Sequence, residues 1–264
     1  MDFPDLVDHG FSVTFDNSAE VTPSLWPKVT VIVTLYNYAE YIKDALESLL
    51  VQTFSNFGVV IVDDNSTDNS HNIALNWISK YEKKFERAVL LRQNINTGLS
   101  ECRNRAFQYC KSPYIFVLDA DNLLYPRCLQ RCYETISVTS AAFCYPIIQR
   151  FGDEQDIFNF GDWDIERLAR GNYIDAMCLI KREVWQQVGG YSDMRRLGKE
   201  DYDLWCKLAV IGESGVLVPE ILGRYRVHGK SMTANTTSTK YAIDEVKKML
   251  MARYPKIFTK DKAK

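Results

Sequence analysis

Four short apolar runs, each ending at polar or acidic residues and the first three each followed by helical periodicity, constrain this chain most strongly. Val29–Leu35 is β-branched up to its last residue, and residues 38–51 then place Ile42, Ala45, Leu46, Leu49 and Leu50 at helical spacing. A second run at 57–62 stops at Asp63-Asp64, where Asn65, Ser66, Thr67 and Asp68 supply turn and N-cap chemistry for a helix reaching Tyr81. A third at 88–91 precedes the Asn96-Thr97-Gly98 turn and a helix over 97–110. The fourth, Tyr114 to Leu118, runs straight into Asp119-Ala120-Asp121. Successive units of this kind predict an α/β fold with a mostly parallel central sheet, helices on both faces and ligands at the carboxyl ends of the strands. Both acidic pairs fall at such ends.

The second half is less regular. Helices are expected at 125–137, 182–188 and 201–210, and strands at 142–150, 173–180, 215–218 and 221–227. Between them, residues 151–172 form an acidic, aromatic stretch without clear periodicity, of the sort that lines a binding cleft. Residues 1–27 end in Pro23 and Pro27 and read as an N-terminal arm or linker; residues 236–264 read as a C-terminal helix, over 240–253, and a tail.

Composition excludes several functions. With 264 residues, 46% hydrophobic and 25% charged, the chain can bury a substantial core, and a formal net charge of −2 gives no basic field to gather nucleic acid. No apolar run reaches the roughly 18 to 20 residues of a membrane span, and the acidic start lacks a signal-peptide pattern. A cytoplasmic location is expected, with room for peripheral association at the inner face of a membrane. The C-terminal helix, with Tyr241, Val246, Met249, Leu250, Met251 and Tyr254, offers either that contact or packing onto the domain. Seven cysteines without a Cys-x-x-Cys pattern are expected as reduced thiols, with Cys128 and Cys132 facing the core.

In Asp119-Ala120-Asp121, residues i and i+2 of an extended segment share one side, so both carboxylates can meet one ligand. Hard oxygen donors suit Mn²⁺ or Mg²⁺ shared with a diphosphate. Asp-x-Asp alone is a weak signal, and a solvated turn is the competing reading.

Five motifs in one order carry a more specific message. Val29 to Asn37, Val62 to Asp68, Asn96-Thr97-Gly98 with Arg103-Asn104, Asp119-Ala120-Asp121 and Glu200-Asp201-Tyr202-Asp203-Leu204-Trp205 together resemble glycosyltransferase family 2, over residues 28–232. The resemblance implies a GT-A, Rossmann-like fold, with a nucleotide-binding half at 28–125 and an acceptor-binding half at 126–235. It implies metal-dependent, inverting transfer of a hexosyl or N-acetylhexosaminyl group from a nucleotide-sugar donor, UDP-sugar favoured. The acceptor would be a hydroxyl of a glycan or lipid-linked saccharide, as in polysaccharide biosynthesis.

Carried over residue by residue, the resemblance assigns Leu35, Tyr36, Asn37, Asp63, Arg103, Asp119 and Ala120 to the donor nucleotide, and Asp121, Asp119 and His228 to the metal. It makes Asp201 the catalytic base with Glu200 beside it, because direct displacement needs a carboxylate to take the acceptor hydroxyl's proton. Arg226 and Lys230 would add positive charge near the diphosphate, and the 194–199 loop, with Gly198 as hinge, would close over the donor. Plainer roles stand beside these: an Asx turn for Asp63 and especially Asp64, packing for Tyr36, a surface ion pair for Arg103, a structural role for His228, helix capping for Glu200-Asp201, and core for Trp205. A catalytically inactive nucleotide-sugar-binding module of a larger assembly is the alternative function. A sugar-nucleotide pyrophosphorylase is weaker, since no Gly-rich phosphate loop follows the first strand.

Overall fold

The structure, a computed structural model, describes residues 10–17, 26–194, 197–231 and 239–258. In chain order these form β1 (Phe11–Asp16), β2 (Val29–Leu35), α1 (Ile42–Leu50), β3 (Phe57–Asp63), α2 (Ser70–Tyr81), β4 (Ala88–Gln93), α3 (Leu99–Tyr109), β5 (Tyr114–Asp119), β6 (Leu123–Leu124) and α4 (Cys128–Val138). There follow β7 (Phe143–Gly152), β8 (Ile157–Phe158), α5 (Ile165–Arg170), β9 (Leu179–Lys181), α6 (Arg182–Gln187), α7 (Glu200–Val210), β10 (Gly215–Val227), α8 (Lys240–Arg253) and α9 (Pro255–Phe258).

One mixed sheet carries the fold, in the order β1-β4-β3-β2-β5-β9-β7-β10-β6, with β8 added to β7. The four strands β4, β3, β2 and β5 are parallel. Every residue of β2 and β3 is buried, as expected of strands covered on both faces. The alternation of side chains splits the core. Val29, Val31, Val33 and Leu35 face α1, α2 and α4, whereas Ile32, Val60 and Val62 face α3, α6, α7 and α8. Chain order runs outward from β2 to β4, then returns to place β5 on the other side of β2. That reversal opens a crevice at the carboxyl ends of β2 and β5, where open α/β sheets bind ligands.

The second half departs from the expected elements in three places. Residues 173–180 do not form one strand: Asn172 Oδ1 accepts from Ile174 N (3.3 Å) and Asp175 Oδ1 from Met177 N (2.9 Å), and these side-chain turns bend the backbone, leaving only Leu179–Lys181 to pair. The two strands expected at 215–218 and 221–227 are one, β10, whose register against β7 shifts around Pro219, which has no N–H to give. Within the N-terminal arm, Phe11–Asp16 pairs antiparallel with β4 and is fastened by Arg87 and Tyr109 to Asp16 (2.8 and 2.9 Å).

The C-terminal helix packs onto the domain. It buries Val246 and Leu250, and the fully buried Asp203 of α7 accepts from Arg253 and from the Tyr254 hydroxyl, each at 2.9 Å. Among the described residues no helix is long and apolar enough to cross a membrane. All seven cysteines are buried and unbridged.

Candidate active site

The acidic residues at the end of β5 hold different partners. Asp119 closes the strand in register with Thr34 of β2, whose hydroxyl donates to Asp119 Oδ1 at 3.0 Å. The same oxygen accepts from Arg103 Nη2 at 2.8 Å. Asp121 lies two residues on, past a turn in which Asn122 N donates to Asp119 O, and its Oδ2 meets His228 Nε2 at 3.1 Å. Burial, with the Asp119 charge as a smaller cause, raises the Asp121 carboxyl above its ordinary range, while His228 opposes this.

Arg103 is not on the surface. Only 1% exposed, its guanidinium spans two carboxylates: Nη2 on Asp119 and Nη1 on Glu200 Oε1 at 2.6 Å. The planar fork holds its two N–H groups on two different carboxylates in a fixed geometry. The pair joins the last residue of β5 to the first of α7, across the two halves of the sheet. Burial raises Glu200 most, Asp201 adds to it, and Arg103 pulls it down. Local sequence places α7 with its acids at the N-terminus, where Glu200, Asp201 and Asp203 complement the helix dipole.

Asp201 itself is half-buried. Its Oδ2 accepts from Asn172 Nδ2 at 2.8 Å and its Oδ1 from Tyr202 N. Trp205, one turn later, belongs to the core: it is wholly buried, stacked on Phe143 at 4.3 Å, and its indole donates to Ile174 O. That contact fastens α7 to the bent 172–177 segment and so sets where Asp201 sits. The same segment brings in a carboxylate that the sequence did not single out, Asp175. Burial, then the Asp201 and Asp119 charges, push Asp175 up to about 7. Its position inside an expected strand concealed it; the Asn172-to-Met177 turn chemistry was the signal available.

At the other edge, an aromatic wall surrounds His228. Tyr41 lies 4.6 Å from the imidazole and Tyr38 5.8 Å, edge-on. Burial and the Asp121 and Asp119 charges raise the Tyr38 phenol. His228 Nδ1 is buried without a hydrogen-bond partner. Arg226 holds the floor, donating from Nε to Asp121 O and from Nη2 to Asp44, with its guanidinium over Tyr41 and Phe151. Lys230 instead pairs with exposed Glu40.

A convergent carboxylate and imidazole, with the carboxylate desolvated and beside a like charge, make a site suited to a cation. Among the described residues no three His, Cys, Asp or Glu side chains gather into a full cage. Mg²⁺-type ions commonly take one or two protein carboxylates and complete their shell with phosphate and water, so two donors fit.

The strand-end residues expected on the nucleotide have structural partners. Leu35 is buried and its carbonyl accepts from Asp64 N. Asn37, at φ 56°, accepts from Thr67 N and Asp68 N through its side chain, tying the β2 and β3 loops together. Tyr36 is 42% exposed, so it does not pack in the core. Asp63 has no exposed surface: Oδ1 accepts from Ser66 N, three residues on, and Oδ2 meets His71 and, at 3.7 Å, Arg92. Asp64 clamps the turn before α3, accepting from Thr97 N and from Gly98 N, the latter left-handed at φ 88° where only glycine is unstrained. Of the 194–199 loop, Arg195 and Arg196 lie outside the described residues, and Gly198 and Lys199 are left-handed.

The sequence pattern described as Glycosyl transferase family 2 matches residues 30–202. The chain is similar to glycosyltransferase GlyG of Streptococcus pneumoniae, 25% identical over 240 residues that cover 83% of this chain and 77% of that one. Its fold is similar to that of S. aureus TarS in complex with UDP-GlcNAc, with TM-score 0.72 and 17% identity over 88% of this chain and 70% of that one. A mannosyltransferase from Pyrobaculum calidifontis, in complex with GDP-Man and Mn²⁺, is similar at TM-score 0.63 and 20% identity, covering 80% and 60% of the two chains.

Proposed function

This chain belongs to glycosyltransferase family 2 and has a GT-A fold, and from that premise we propose that it is a metal-dependent, inverting transferase acting from a nucleotide-diphosphate sugar, UDP-sugar favoured, onto a hydroxyl of a glycan or lipid-linked saccharide. One observation carries the reading. A single buried arginine fixes the Asp119 end of β5 against the Glu200-Asp201 start of α7, so the acids proposed for the donor and for the base share one crevice. Neighbouring folds that hold UDP-GlcNAc, or GDP-Man with Mn²⁺, support a nucleotide-sugar donor.

Asp201 takes the proton of the acceptor hydroxyl as that oxygen bonds to the anomeric carbon from the face opposite the leaving diphosphate. The bond from that carbon to the diphosphate oxygen breaks with its electrons on the diphosphate, and the configuration inverts. Asn172 orients the base. Residues 28–125 bind the nucleotide and 126–235 the acceptor. Asp121 and His228 would hold Mn²⁺ or Mg²⁺, which when bound supplies positive charge against the departing diphosphate. Arg103 acts through Asp119 and Glu200 as a positioning residue.

The test is Asp201→Asn, a change that keeps size and removes the proton acceptor. Transfer should fall by about 10²–10⁴-fold, with nucleotide affinity unchanged. Turnover at the wild-type rate would remove Asp201 from the role, and donor binding without transfer by the wild-type protein to any acceptor would favour the inactive-module alternative.

A further inference from the structure

Beside the β7–β8 hairpin lies a shallow, open cleft of about 620 Å³ lined by Gln149, Gln155, Asp156, Ile157 and Phe160. None of the residues described above as catalytic or metal-binding lines it. Phe160 is 50% exposed and Ile157 48%, so the cleft presents an aromatic ring and an aliphatic side chain to solvent beside two amides and a carboxylate. This is the chemistry of saccharide recognition: ring C–H faces stack on an aromatic, while hydroxyl pairs meet amides that donate and accept and a carboxylate that accepts. No lysine or arginine lines the cleft. Arg150 sits behind Asp156, using its Nη1 on Asp156 Oδ2 at 2.9 Å.

Two structural ties connect this cleft to the transfer crevice. On one side Asn159, adjacent to Phe160 and 3% exposed, accepts from Asp175 N at 2.6 Å, and Asp175 stands beside Asp201. On the other, Gln149 accepts from the Tyr125 hydroxyl at 2.6 Å, and Phe151, two residues along β7, lies under the Arg226 guanidinium that donates to Asp121 O. The cleft thus flanks the crevice on the side away from β3 and β4, where the nucleotide half ends.

We propose that the Gln149–Phe160 cleft is an acceptor subsite that holds an uncharged sugar unit of the acceptor glycan, one or more residues away from the hydroxyl that receives the transfer. The proposal rests on the transferase reading given above. It favours neutral hexose or N-acetylhexosamine units over uronates, because Arg150, the cation at Asp156, is already shared between Asp156 and Glu154.

Saturation-transfer NMR with cellotetraose, maltotetraose, chitotetraose and trigalacturonate tests it, on wild type, Phe160→Ala and Phe160→Tyr. Phe160 is exposed, so its truncation leaves the core intact, and Phe160→Tyr keeps the stacking face. At least one neutral tetrasaccharide should bind wild type and Phe160→Tyr, bind Phe160→Ala at least fivefold more weakly, and outcompete trigalacturonate. No binding by any neutral tetrasaccharide, equal binding to Phe160→Ala, or preference for the uronate would overturn the subsite. Thermal shifts with UDP and with GDP in Mn²⁺, run on the same samples, separate the two readings. A nucleotide shift without a saccharide effect sinks the subsite alone, and absence of both sinks the transferase reading with it.

Discussion

The sheet on the amino side of Asp121 and the sheet beyond it are built by different means. Strands β2 to β5 all pair in parallel, and β2 and β3 are wholly buried. Beyond Asp121 the pairing is mixed, β7 lies between a three-residue strand and an irregular β10, and the functional side chains hang on turns held by asparagine and aspartate. A uniform half can present fixed strand ends to a fixed chemical group, a nucleotide diphosphate. An irregular half can change its loops without changing the frame, which suits an acceptor that differs from one enzyme to the next.

Arg103 is the seam between them, and breaking it should have the largest effect. Arg103→Ala leaves Asp119 and the buried Glu200 unpaired and should cost about 3–5 kcal/mol in urea unfolding, with amide exchange quickened at α7 and β7 before β2 and β3. Arg103→Lys should recover only part, because the ammonium lacks the rigid fork and the reach that hold both acids. Uniform exchange across both halves in Arg103→Ala would dissolve the distinction.

Asp203 tests the second half alone. Asp203→Ala takes the acceptor from Ser192, Arg253 and Tyr254 and should cost about 1–3 kcal/mol, with α8 loosened and nucleotide binding at the first half unchanged. Loss of nucleotide binding in that variant would mean the halves are not separable.

A further test concerns Asp175 and is read by pH. Its folded-state value, about 7, lies above its ordinary one near 3.8, so the fold favours the protonated acid. That contribution is complete at acid pH and is lost as pH rises through about 7. In EDTA, wild type should therefore lose thermal stability between pH 5 and 8 more steeply than Asp175→Asn. Parallel stability curves for the two proteins would show that Asp175 ionises without cost.

The same division explains what was legible in the sequence. Val29–Leu35 stands as expected to the residue, because burial on both faces demands a continuous β-branched run, and α8 likewise matches its periodicity. That ligands meet the carboxyl ends of the strands followed from the succession of units, whereas the crevice between β2 and β5 needed the sheet order. Residues 173–180 misled because their apolar content resembles a strand, whereas Asn172 and Asp175 turn the backbone, and so the carboxylate of Asp175 went unnoticed. Phe11–Asp16 alternates Phe11, Val13 and Phe15 with polar residues, a strand pattern overshadowed by the prolines that follow. The resemblance put Arg103 on the donor, but its bridge to Glu200, 97 positions away, shows only in three dimensions.

The most direct measurement of the central claim is calorimetric titration of UDP, GDP, TDP and CDP into wild type, Asp121→Asn and His228→Ala, each with Mn²⁺ and with EDTA. One nucleotide should bind wild type, at least tenfold more tightly with Mn²⁺ than with EDTA, and that metal-dependent gain should vanish in Asp121→Asn and shrink in His228→Ala. Binding of equal strength with and without metal, or a gain that survives intact in Asp121→Asn, would contradict the assignment of Asp121 and His228 to a cation beside the leaving diphosphate.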